Sequence, residues 1–368
     1  MNKGFLLAVG LLSGTIIGAG IFSLPYVVNQ LGLVPGVFYL LFFAFVYFIV
    51  FKMYAALTLT TNEEHRFFYL ADKFLPRRFA GLASLVIITG LIFTLTIYLI
   101  LAVSFFGLIG NFSVLATLLI FWLFGSVFIF VKLDWQGVLE VFGIGAILAI
   151  VGLIFFSGHS LPDTPLFRSF DLPIFLLPFG PLLFAYSARV AIPKVVGEWK
   201  KRKAAGRPFS LGKALLAGSF LPAAVYLVFV FGVLRLTPDV APEALSGLSF
   251  LPPAITLFLG VLGILTLWTS YFMIGSDVRE TLKYDLRSPA WLSSLVVLVL
   301  PLGLYLTGFQ NFLTVLELTG GVFLGLEGIF IIAMWRRAFP SHQFRKSAIF
   351  LYIVFFLALV YSLVDFVL

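Results

Sequence analysis

The sequence predicts an all-α polytopic membrane protein: a 5+5 inverted repeat with helices 1 and 6 broken, plus an eleventh helix. Three observations lead there. The 368 residues are 61% hydrophobic and only 11% charged, too little charge to clothe a water-soluble surface. The apolar residues fall into eleven runs of roughly 20 residues, the length that crosses a bilayer as a helix. Two of those runs, five apart in order, are interrupted by glycine, other small residues and proline. Paired interruptions of this kind in corresponding halves mark an inverted repeat with discontinuous helices.

The spans lie near residues 4–30, 34–59, 80–109, 113–131, 135–157, 171–192, 212–235, 252–275, 289–308, 311–335 and 347–367. One transmembrane domain, 1–368, then consists of repeat 1 (about 4–157), repeat 2 (about 171–335) and an extra helix (about 347–367). The opening MNKGFLLAVG is not read as a signal peptide, because its apolar stretch runs on to about Leu33 and a second span follows at once. Of the 24 Lys and Arg, Arg168 and Arg235 fall in loops on one side, while Lys52 and Arg189 lie within spans. The other 20 lie on the opposite side. The excess of positive charge places that side in the cytosol of a plasma membrane, with the N-terminus cytosolic and the C-terminus external.

Other classes lose ground. The net charge of +8 is explained by these loops and needs no nucleic acid. Without cysteine there is no disulfide or thiolate chemistry. His65, His159 and His342 all fall in loops. No zinc-protease, nucleophile-elbow or P-loop motif is present, so no enzyme, cofactor or nucleic-acid partner is expected.

Span 1 contains GTIIGAGIFSLP, residues 14–25. Gly10, Gly14 and Gly18 recur every four residues and by themselves fit a small-residue ladder for close helix packing. Span 6 contains PFGPLLFAYSARVAIP, residues 178–193. Laying Pro25 on Pro193 sets Gly18-Ala19-Gly20 on Tyr186-Ser187-Ala188, in opposite membrane orientation. Breaks at both places free backbone groups at mid-membrane: N–H groups suited to a carboxylate, and carbonyls suited to an ammonium group or a small cation. A zwitterionic amino acid needs both.

These residues resemble a family. GTIIGAGIFSLPYV is similar to the first-helix signature of amino acid permeases of the amino acid–polyamine–organocation superfamily, in the branch of the hydroxy/aromatic amino acid and amino acid/auxin permeases. LLFAYSARVAIP resembles that branch's sixth helix, and eleven spans fit. The resemblance implies the leucine-transporter fold and cation-coupled transport of an amino acid, as by a symporter; a monomer is the expected functional unit. It places the substrate main chain at Gly18, Ala19, Gly20 and Ile21 of span 1 and at Phe184, Ala185, Tyr186 and Ser187 of span 6. On this reading Gly20→Leu abolishes binding and leaves the protein folded.

In that fold a coupling cation sits between helices 1 and 8. Span 8 reads LTLWTSYFMIGSD, with adjacent hydroxyls at Thr269 and Ser270. Together with the Gly14 and Ile17 carbonyls they offer hard oxygen ligands for Na⁺. The alternative is that they bond back to their own helix. Ile21 replaces the asparagine that supplies a further sodium site in related carriers, so one Na⁺ is the most expected. For side-chain selectivity, Thr94 and Tyr98 of span 3 lie one turn apart.

Charges within spans are functional by default. Lys52, Glu140, Arg189 and Glu327 lie in the inner halves of their helices and read as a cytosolic gate or a proton relay, with Glu140 and Glu327 as carriers. Static ion pairing, with Lys52 snorkelling, is the alternative. Glu317 is a fifth such charge. Arg189 follows the small triplet of span 6 directly and is open to three uses: an anionic substrate group, the cation's place, or the gate. The functional expectation is a secondary transporter for amino acids coupled to Na⁺ or H⁺; the alternative is an amino-acid-sensing receptor on the same fold.

Overall fold

The apolar runs are helical throughout. The computed structural model describes residues 3–61, 67–130, 136–158, 164–169, 171–340 and 345–367, with only the backbone given at 136–140, 285 and 345. We number the helical segments of the apolar runs α1 to α11; among the described residues six are long and apolar enough to cross a membrane, eight if each bent pair counts as one span, and Val114–Ile129, Val141–Ser157 and Ala290–Leu306 are shorter. α1 comprises Lys3–Ile16, a 3₁₀ turn Ala19–Ser23 and Leu24–Leu31; α2 is Leu33–Leu59, α3 Arg77–Ile109, α4 Val114–Ile129 and α5 Gln136–Ser157. α6 comprises Leu172–Leu176, Phe179–Tyr186 and Ala191–Ala204. α7 is Leu211–Leu236, α8 Pro253–Glu280 with a π turn Thr281–Asp285, and α9 Ala290–Leu306. α10 is Phe312–Glu317, a π segment Leu318–Leu324 and Gly325–Ala338; α11 is Arg345–Val367.

The packing sorts the helices into two groups. α1, α2, α6 and α7 pack on one another, and α3, α4, α8 and α9 do the same. α5 touches both α7 and α8, while α10 lies against α2 and the first half of α6 with α11 behind it. This arrangement is that of the leucine-transporter fold.

The breaks appear where glycine and proline forecast them. The halves of α1 are bent by 52° across Ile17 and Gly18, and those of α6 by 46° across residues 187–190. Gly18 is extended, at φ −144° and ψ −158°. The glycine ladder does not form. Gly10 is exposed with open space around it, and only Gly14 packs, against Ile144 of α5.

Three elements escaped the sequence reading. Phe67–Phe74, assigned to a polar loop, is a short amphipathic helix that buries Phe67, Leu70 and Ala71 and exposes Asp72 and Lys73. α6 continues as helix through its basic stretch to Ala204. The π segment of α10 centres on Gly320 and Gly321, which let α6 and α11 approach to backbone contact.

One end of the bundle is closed. Phe22 of α1 packs edge-on against Phe105 of α3 at 5.2 Å and Phe229 of α7 at 5.7 Å, all fully buried. Beyond them the α5–α6 connection straps the corner between α1 and α2: the N–H groups of Leu33 and Val34 donate to the carbonyls of Pro165 and Leu166, both at 3.0 Å. Gly32 there has φ +92° and lies against this strap, so only glycine fits the turn without strain.

Candidate functional site

Both breaks face one cavity of about 640 Å³. Of the residues chosen from sequence, Gly14, Ile17, Gly18, Ala19, Gly20, Thr94, Tyr98, Phe184, Ala185, Ser187, Arg189, Thr269, Ser270 and Glu327 line it. The cavity runs from the breaks to exposed Lys194 and Glu280, so it reaches the surface at the end opposite the phenylalanine plug.

The break in α1 presents donors. Internal bonding of its 3₁₀ turn begins with the Ile21 N–H, which donates to the Gly18 carbonyl at 3.2 Å. The N–H groups of Gly18, Ala19 and Gly20 precede that bond and are left over by the helix. Ile21 is corrected here: its N–H is spent, it is fully buried, and it does not line the cavity.

The carbonyls at the break in α6 are mostly taken. The Tyr47 hydroxyl of α2 donates to Leu183 O at 2.7 Å, and the Ser187 N–H donates to Phe184 O at 3.2 Å. The Tyr226 hydroxyl of α7 lies 2.7 Å from both Ala185 O and Ile16 O. One phenolic proton thus serves carbonyls from both broken helices. Tyr186 is a second correction. Its side chain turns away from the cavity to α2, where its hydroxyl donates to Leu40 O at 3.0 Å.

The hydroxyls chosen for a cation take the helix-bonded alternative in part. Thr269 donates to Thr266 O at 2.9 Å and faces Gly143 of α5. Ser270 lies within hydrogen-bonding reach of the Tyr98 hydroxyl. Thr94 donates to Gly90 O at 2.9 Å.

The charges divide. Arg189 Nε donates to Glu327 Oε1 at 2.9 Å, with both side chains nearly buried. The guanidinium lies 4.9 Å from the Phe67 ring centroid. Tyr54 sits beside it with its hydroxyl buried. The structure therefore pairs Arg189 across the cavity mouth, linking α6 to α10. Lys52 is a correction: it is exposed on α2, one residue from buried Met53, and does not line the cavity. The side chain of Glu140 lies outside the described residues.

Sequence reasoning missed Tyr54, Phe67, Asp277 and Phe323 in the cavity wall. Asp277 lies beyond the predicted span 252–275, but α8 stays helical past it and holds it near Arg189. Phe67 carried a signal in the spacing of Phe67, Leu70 and Ala71 within its short helix.

Two broken helices thus frame one cavity. The family described as "Transmembrane amino acid transporter protein" matches residues 1–364. The chain belongs to that family.

The transporter is similar in structure to MhsT in a crystal structure with L-phenylalanine, at 15% identity and TM-score 0.59, covering 100% of this chain and 98% of that one. It is also similar to an Eremococcus coleocola manganese transporter in complex with an aromatic bis-isothiourea substituted compound, at 14% identity and TM-score 0.59, covering 99% and 86%. Such identities speak to the fold alone. No curated protein matches the transporter by sequence. The family is one of amino acid transporters, and the long apolar helices fit a multi-pass membrane protein.

Proposed function

We propose that the transporter moves amino acids across the plasma membrane by alternating access, with the substrate main chain held between the breaks of α1 and α6. The observation that carries this is the shared cavity, with leftover donors on α1 facing acceptors on both helices. The carboxylate lies on the N–H groups of Gly18, Ala19 and Gly20, where the dipole of the second half of α1 adds to their pull. The ammonium group lies on carbonyls that the tyrosines leave open, before the break of α1 and at Ser187 of α6. The walls near the breaks are apolar (Ile87, Leu91, Ile147, Phe184, Met273, Phe323), and Arg189 is already paired. An uncharged side chain suits them, because an unpaired buried charge is costly.

In this reading α1, α2, α6 and α7 rock against α3, α4, α8 and α9. The open end, which carries most of the Lys and Arg, faces the cytosol, so the structure is inward-facing. Na⁺ between Gly14, Ile17, Thr269 and Ser270, or H⁺ on Glu140 or Glu327, supplies the driving gradient. The transporter works as a monomer.

Thermal stabilisation of the purified protein tests this reading, with each of the twenty amino acids, with and without Na⁺, at two pH values. Ligands of the native state raise the melting temperature by mass action. A shift confined to uncharged amino acids is expected. No shift with any amino acid would overturn the assignment.

A further inference from the structure

A single buried amide ties the closed end together beyond its phenylalanine plug. Asn29 lies in the last part of α1 and is 8% exposed. Its Nδ2 donates to Pro238 O at 3.2 Å, and its Oδ1 accepts from the Thr164 hydroxyl at 3.1 Å. A carbonyl only accepts, so the amide nitrogen must face Pro238, which leaves the amide oxygen for the threonine. Thr164 is itself buried and lies 135 residues away in sequence, and Pro238 lies 209 away. One side chain thus joins α1, the α5–α6 strap and the α7–α8 connection.

The bond to Pro238 leads toward the other helix group. Next to Pro238, the Asp239 carbonyl lies against Gly247, where an added Cβ would stand 3.2 Å from it. Gly247 belongs to a 3₁₀ turn, Ser246–Leu248, that packs on α3. The strap, in contrast, stays with the α1–α2 corner through the N–H groups of Leu33 and Val34. Asn29 therefore stands where the group of α1, α2, α6 and α7 meets a connection resting on α3. Its bond to Thr164 fixes the amide in the orientation that the bond to Pro238 needs.

We propose that Asn29 is the latch of the closed end: its two hydrogen bonds hold the α5–α6 strap and the α7–α8 connection together, and both bonds break when the cavity opens on this side. The amide, the hydroxyl and the Pro238 carbonyl then exchange one another for water. Such an exchange shifts an equilibrium by only about two- to tenfold per bond, so the latch favours closure and still releases in each cycle. The proposal rests on the alternating-access reading and on no choice of substrate or coupling ion.

Distances between paired spin labels test it. The chain has no cysteine, so two introduced cysteines carry the only labels. Phe112→Cys, just beyond α3, and Phe167→Cys, in the strap, replace side chains exposed at this end. Measured on the purified full-length protein without amino acid, the pair should give one predominant short distance when Asn29 is present. Asn29→Leu keeps the shape without the hydrogen bonds and should add a longer distance. Thr164→Val removes one bond and should raise the ratio of long to short by about two- to tenfold, which keeps the test valid should Asn29→Leu fold poorly. The double change should open the end no further than Asn29→Leu alone, because Thr164 acts through Asn29. Unchanged distances in both single variants, or additive opening in the double variant, would overturn the latch. A lower melting temperature without a longer distance would make Asn29 a structural support only and would overturn it too. Amino acid binding is not read, so failure here leaves the substrate assignment standing.

Discussion

A Cβ built on Gly20 would lie 2.5 Å from the Cα of Ala185. The broken segments of α1 and α6 meet backbone to backbone at this pair, which is how two helices distant in sequence frame one cavity. The expectation that Gly20→Leu removes binding and spares the fold therefore needs correction. Even Gly20→Ala forces the two breaks apart, and overpacking a buried contact typically costs about 1–3 kcal/mol. Gly20→Ala should lower both the melting temperature and amino acid affinity, and Gly20→Leu should fold poorly. Unchanged melting in Gly20→Ala would show that the breaks separate freely.

Tyr226 provides a gentler probe of the same junction. Tyr226→Phe keeps the ring that fills the core and removes the hydroxyl shared by Ile16 O and Ala185 O. Leaving buried carbonyls unpaired costs about 1–3 kcal/mol. A lower melting temperature and weaker amino acid binding are expected, measured together by thermal shift with and without ligand.

The Arg189–Glu327 pair closes part of the cavity wall. Glu327→Gln should leave the guanidinium in search of an anion. Glutamate should then compete for the site about three- to tenfold better than in the wild type, the scale of one charge-assisted contact. Arg189→Met with Glu327→Leu should be more stable than either single change, since breaking one side of a nearly buried pair strands the other charge. Additive single effects in that cycle would mean that the two residues do not act on each other.

If Na⁺ drives transport, Thr269 and Ser270 should respond unequally. Thr269 already donates to Thr266 O, which leaves its oxygen lone pairs for a cation, whereas Ser270 shares its hydroxyl with Tyr98. Thr269→Val should raise the Na⁺ concentration needed for thermal stabilisation by about tenfold, as expected for a lost hard-oxygen ligand. Ser270→Ala should change it less. Equal Na⁺ dependence in the wild type and Thr269→Val would remove α8 from the cation site.

Much of the fold was determined by local sequence alone. A bilayer cannot hydrogen-bond a backbone, so an apolar run of the right length becomes a helix. Gly18, Gly20, Pro25 and Pro193 likewise announced the two breaks, because glycine and proline weaken a helix wherever they stand. Partnership was decided only by the tertiary structure. That Tyr226 serves carbonyls of two helices, that Arg189 spends its charge on Glu327, and that Phe67 folds back into the cavity wall all join residues far apart in sequence. Lys52 and Ile21 fell away for the same reason: spacing assigns a residue to a helix, but which face meets the cavity depends on how the helices rotate as they pack.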